Sequence, residues 1–180
     1  MPIHLLNTTL QAAALSGMSN VMAQYIKAYR EEKPFALNVR SLLQFVLFSL
    51  ISCPPNILWQ EFLETQFPGY TVVSTSHGDG ERTLNKANTA RKFLFDQTLG
   101  AFVNTVAFVA AMAAFKGKNW KGVQRDVERD VVPLMINSWK LWPAVALINF
   151  TLVPVDRRVI VASVVGLFWG IYLSLFAALD

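Results

Sequence analysis

Charge is missing from five long stretches of this chain: residues 1–26, 41–60, 97–115, 141–155 and 159–179 contain no Asp, Glu, Lys or Arg. A helix that crosses a bilayer needs about 17 to 25 largely apolar residues, so four stretches are long enough and 141–155 is marginal. The chain is 53% hydrophobic and only 16% charged, with a mean hydropathy of +0.37, against about 25% charge in ordinary soluble domains. The pattern predicts an all-α polytopic membrane helical bundle with four spanning helices, a short fifth apolar segment and one amphipathic surface helix. The 180 residues form a single integral membrane domain (1–180) on this reading. A soluble all-helical protein with a very apolar core is the alternative.

Several function classes drop out. The single cysteine, Cys53, cannot close an internal disulfide, and with His4 and His77 it gives no ligand set at metal spacing. Neither a metal nor a cofactor is expected. Catalysis is not expected either: the chain has no nucleotide loop and no G-x-S-x-G, and Cys53 has no base nearby. The first 26 residues lack Lys and Arg and are broken by Asn7, Gln11 and Asn20, which argues against a cleaved signal or a mitochondrial presequence. Ala177 to Asp180 is not a peroxisomal tripeptide signal.

Polar residues inside the apolar stretches are the candidates for function. In a first helix from Leu5 to Tyr29, Ala13, Gly17, Asn20 and Gln24 share one stripe. Such a stripe faces other helices or water, as interhelical glue or as the lining of a solute path. A second helix begins near Leu37; Cys53-Pro54-Pro55 should kink or unwind it, and Glu61 and Glu64 take it out of the bilayer. Thr71 to Gly80 reads as a loop. A third helix crosses as Phe93 to Phe115, with Asp96, Gly100 and Asn104 on one face. Asp96 either pairs with Lys92 one turn earlier or serves as an ion-pathway carboxylate.

From Asn119 onward Trp120, Val123, Val127, Val131 and Leu134 repeat at helical spacing, with Arg125, Asp126, Glu128, Arg129 and Asp130 opposite. This is an amphipathic helix on the membrane or on its neighbours, and its balanced charge speaks against nucleic acid as a partner. In the last span, Val159 to Leu179, Ser163, Gly166, Gly170 and Ser174 form a small face carrying a GxxxG, which permits close helix packing unless the glycines are incidental. With 141–155 kept on one side, the positive-inside rule places 12 of the 16 bases on one face. Arg158 sits where the helix dipole disfavours it, and Asp96 is its expected partner.

The carboxy-terminal series Trp142-Pro143, Asn149-Phe150, Val153-Pro154, Arg158, Trp169 and Tyr172-Leu173-Ser174 resembles that of the Mpv-seventeen and peroxisomal membrane protein family, small four-span proteins of peroxisomal and inner mitochondrial membranes. The resemblance covers nearly the whole chain. Lys92-Phe93-Leu94-Phe95-Asp96-Gln97 is similar to the family's K-x-x-x-D-Q, and Cys53-Pro54 with Trp59 stands at its G-P and W-Y. Three positions depart: Asn20 stands for the aspartate of the first helix, Ala146 for the glutamine after W-P, and Gln60 for the tyrosine after Trp59.

The resemblance implies a weakly selective channel for small metabolites with roles in organelle maintenance, in the peroxisomal or mitochondrial inner membrane. Donors and acceptors for a pore are Asn20, Gln24, Asp96, Gln97, Asn104, Thr105 and Asn149. Arg40 and Arg158 attract anions or contact phosphate headgroups. The rival reading is a non-conducting membrane scaffold or sorting protein that oligomerises and recruits partners. The partners on either reading are the lipid bilayer, small solutes and, if the small face pairs between copies, a homo-oligomer.

Overall fold

The computed structural model describes residues 2–74 and 80–176. Helices α1 (Pro2–Arg30) and α2 (Val39–Gln66) are followed by a hairpin of β1 (Tyr70–Ser74) and β2 (Gly80–Leu84). Then come α3 (Lys86–Phe95), a π-helical turn (Asp96–Gly100), α4 (Ala101–Phe115), α5 (Trp120–Ser138), α6 (Trp142–Leu152), a 3-10 turn (Val155–Arg157) and α7 (Arg158–Phe176). Among the described residues, two helices are long and apolar enough to cross a membrane: α2 and the continuous Lys86–Phe115 helix. The pair α5 and α6, bent by 58°, counts as a third only if the two together are one broken span. Asn7, Gln11, Asn20 and Gln24 lower the hydropathy of α1, which has the length, 29 residues. Large apolar side chains face outward, as lipid-facing helices require: Leu43, Leu47, Ile51, Leu58 and Phe62 on α2 are all exposed.

The chain divides into two compact units, parted within α2 between Ile57 and Leu58 and at the head of α7 between Arg158 and Val159. In the first, Ala12, Cys53 and Ile57 form the core, with Leu5 and Val159 against it. Small residues set its helix contacts. A Cβ on Gly17 would meet Val46 at 3.2 Å, and one on Gly170 would collide with the Ser19 hydroxyl, which donates to the Leu167 carbonyl at 3.2 Å. The small face of α7 is thus packed at Gly170; Gly166 is half-buried, and the side chains of Tyr172 and Ser174 lie outside the described set. In the second unit Leu63, Ala146 and Phe150 form the core with Trp59, Phe67 and Phe93, and α5 packs along α4.

Three expectations are corrected. The segment read as a loop begins and ends in the strands of an antiparallel pair with Tyr70 opposite Leu84, because Tyr70, Thr71, Val72 and Val73 are β-forming residues; residues 75–79, His77 among them, lie outside the described residues. Of the two outcomes expected at Pro54 and Pro55, unwinding does not occur: α2 runs on as helix through both, and the Asn56 side-chain amide donates to the Ser52 carbonyl one turn back. The third concerns the region after α4. The 11 residues of α6 reach only about 16 Å, so α6 does not span alone. Arg158 nevertheless lies near Lys92, since both bond the Glu64 carboxylate, whereas Lys118 follows the far end of α4. Between Lys118 and Arg158 the chain therefore returns along the Lys86–Phe115 helix. Keeping 141–155 on one side, with Arg157 and Arg158 beside the bases of 116–140, does not match this path.

Candidate functional site

The second unit holds two polar centres, one around the buried Lys92 and Arg158 and one half-buried around Asp96. The first is built on Glu64, in the last turns of α2. Its carboxylate accepts from Lys92 Nζ at 2.7 Å, from Arg158 Nη2 at 2.7 Å and from the Gly69 backbone N–H at 2.8 Å. Lys92 is 0% exposed and Arg158 4%. Both cations also stand over the Phe150 ring, at 5.5 and 5.1 Å from its centroid. Arg158 Nε donates to the carbonyls of Asn149 and Val153, and Asn149 Nδ2 returns a bond to the Arg158 carbonyl. Gly69 is required by this crowding: a Cβ there would stand 2.8 Å from Lys92 Nζ and 3.2 Å from Glu64 Oε1.

The second centre is Asp96, at the start of the π turn. Its Oδ1 accepts from Trp59 Nε1 at 3.2 Å and Gln60 Nε2 at 3.0 Å, and its Oδ2 from Gln97 Nε2 at 3.0 Å. All three donors are neutral. A Cβ on Gly100 would come within 2.9 Å of Trp59 Nε1, so glycine there lets the indole reach the carboxylate. A π turn widens the helix by one residue and often marks functional positions.

Two expected pairings are corrected: Lys92 and Arg158 both bind Glu64, not Asp96. The reason is positional. Arg158 opens α7 and Glu64 closes α2, and Gly69 lets the intervening turn fold tightly beside them. Sequence reasoning reaches neither Glu64, legible only as the exit of its helix, nor Trp59 and Gln60 as partners of Asp96. The arginine's need for compensation at a helix amino end was the available signal.

The other candidates are placed as follows. Asn20, buried in the first unit, donates to Ser41 Oγ at 3.1 Å and accepts from Gln24 at 2.7 Å, while Gln24 accepts from the Asn38 N–H at 2.7 Å. In the second unit Asn104 is exposed on α4, Thr105 bonds the Ala101 carbonyl, and Gln97 accepts at its carbonyl from Trp139 Nε1. Asn149 and Phe150 are buried beside Arg158, Trp142 and Pro143 begin α6, and Pro154 leads into the 3-10 turn. Trp169 is half-buried on α7. The structure brings together Asp96 with Gln97, and Asn149 with Phe150 and Arg158.

Comparison with known proteins bears on these positions. The model of the Mpv17 / PMP22 family matches residues 113–174. The chain is 33% identical to PXMP2/4 family protein 3 of Dictyostelium discoideum over 168 residues, 93% of this chain and 81% of that protein. It is 29% identical to the mitochondrial inner membrane protein Mpv17 of Rattus norvegicus over 171 residues, 92% and 85% of the two chains. It is 25% identical to the peroxisomal membrane protein PMP22 of Arabidopsis thaliana over 170 residues, 93% and 80%. No solved structure matches.

Proposed function

This chain belongs to the Mpv17 / PMP22 family, and from that premise we propose that it is a pore for small metabolites that contributes to organelle homeostasis. It is a multi-pass protein of an organelle membrane, the peroxisomal membrane or the mitochondrial inner membrane, in keeping with its relatives. The proposed activity is passage, without covalent chemistry.

The observation that carries the reading is Asp96. A carboxylate within an apolar spanning helix is costly, and here its hydrogen-bond partners are neutral donors, while Lys92 and Arg158 are engaged by Glu64. Access to water or to mobile ions offsets such a cost. Helix α5 supports the same view. If α1, α2, the Lys86–Phe115 helix and α7 are the four spans, the bent pair α5–α6 makes a further, broken crossing. Its exposed Arg125 and Glu128, and the Arg129–Asp130 ion pair, then need water or protein around them instead of lipid.

Reconstitution in liposomes with a solute-release assay tests the proposal. Protein that folds and inserts should release small solutes, and Asp96→Asn should shift cation-to-anion preference more than unitary conductance. Normal insertion without release sinks the pore. A non-conducting scaffold is the second reading, and the first unit favours it: Asn20 and Gln24 spend their amides on Ser41, Asn38 and each other, as glue does.

A further inference from the structure

The Asp96 centre contains two acceptors to which none of the described residues donates. Gln60 Oε1 and Gln97 Oε1 are buried with no hydrogen-bond partner, although the nitrogens of the same amides bond Asp96. Leaving a buried acceptor unmade costs about 1–3 kcal/mol. Both amides present nitrogen to the carboxylate and oxygen away from it, so an oxygen-rich set short of positive charge arises when both turn.

A half-turn about the last bond of each glutamine exchanges its nitrogen and oxygen, so the nitrogen takes the place the oxygen now holds and the oxygen turns to the carboxylate. Gln60 and Gln97 would then present an oxygen on either side of the carboxylate, at the 3.0 Å now held by their nitrogens. Around an ion held at roughly 2.3–2.6 Å, neighbouring oxygens stand about that far apart. With both amides turned, the only charge that can hold the four oxygens together is a cation among them. We propose that Asp96, Gln60 and Gln97 form a binding site for a monovalent metal cation, sodium or potassium. One formal negative charge suits a monovalent ion; calcium sites gather several carboxylates, and of the nearby acids on α2 Glu64 is bound by Lys92 and Arg158, while Glu61 follows Gln60 about 100° round the helix. Trp59 keeps its bond to Oδ1 and orients the carboxylate. The site goes beyond the pore reading, because it binds its ion whether or not solute passes.

The test uses the full chain in nanodiscs, with thermal midpoints compared in sodium chloride, potassium chloride and choline chloride at equal ionic strength. The proposal expects a saturable rise in sodium or potassium that choline does not give, lost in Asp96→Asn. Gln97→Leu, which keeps the carboxylate and removes one oxygen, should weaken apparent affinity about tenfold. Equal midpoints in all three salts overturn it, as does a rise that survives in Asp96→Asn. Infrared difference spectra of wild type against Asp96→Asn give a readout independent of stability. The ionised carboxylate band should persist in sodium at neutral pH, and a protonated carboxyl band assigned to Asp96 would overturn the site. Cation binding without solute release rejects the pore and keeps the site; release without cation binding does the reverse.

Discussion

Glu64 neutralises only one of the two cations it binds, so its charge matters more than its shape. In Glu64→Gln, Lys92 and Arg158 would share a buried position without a counter-charge, and breaking such a pair costs about 3–5 kcal/mol. Equilibrium unfolding in mixed micelles should show a loss of that size. Gly69→Ala probes the same centre by volume: its Cβ meets the Lys92 ammonium, and the expected loss is about 1–3 kcal/mol. Because Arg158 bonds Glu64, Arg158→Ala should couple strongly to Glu64→Ala in a double-mutant cycle and add to Asp96→Asn within about 0.5 kcal/mol. Strong coupling to Asp96 would restore the pairing that sequence alone suggests. That pairing could not be settled from sequence, because Glu64 and Arg158 are 94 positions apart and only the folded turn at Pro68-Gly69 brings them together. The demand that Arg158 be compensated was legible; the identity of the compensating acid was not.

At the scale of elements, long apolar runs were legible because a helix in lipid satisfies its backbone locally, so its limits are written in its own composition. Thus α2 and the Lys86–Phe115 helix lie where uncharged stretches predict them. The hairpin was not legible, since five-residue strands carry little periodicity and the polar residues between them read as loop. Two glycines let helices approach closely, and each gives a test. Gly170→Leu forces a side chain onto the Ser19 hydroxyl and should destabilise the α1–α7 contact by about 1–3 kcal/mol, read as a lower thermal midpoint in detergent. Gly100→Ala pushes the Trp59 indole off Asp96. Its expected signature is a changed tryptophan emission spectrum, absent when the same substitution is made in a Trp59→Phe background.

Across the second unit as a whole, the question is which way the chain travels after α4. From Lys92 to Phe115 the helix covers about 35 Å, close to a bilayer's hydrocarbon thickness. Three contacts then mark the return. Lys118 bonds Asp126 near the end of α4, Trp139 Nε1 donates to the Gln97 carbonyl farther back, and Arg158 reaches Glu64 near Lys92. This ordered series is what a bent crossing by α5 and α6 would produce, since the residues of a surface helix stay at one depth. Charge counting alone favoured keeping Arg157 with Lys140, but it weighs only numbers of bases and cannot see that Arg158 is consumed by an internal acid. The test is chemical labelling from one side of sealed vesicles. Cys53 is the single native thiol, so Cys53→Ala gives a background into which Lys86→Cys, Lys116→Cys or Arg157→Cys is placed, all at exposed positions. Lys86→Cys and Arg157→Cys should react with an impermeant maleimide from the same side, and Lys116→Cys only from the opposite one. Should Arg157→Cys react with Lys116→Cys instead, α5 and α6 do not cross, and the charged face of α5 belongs to the membrane surface.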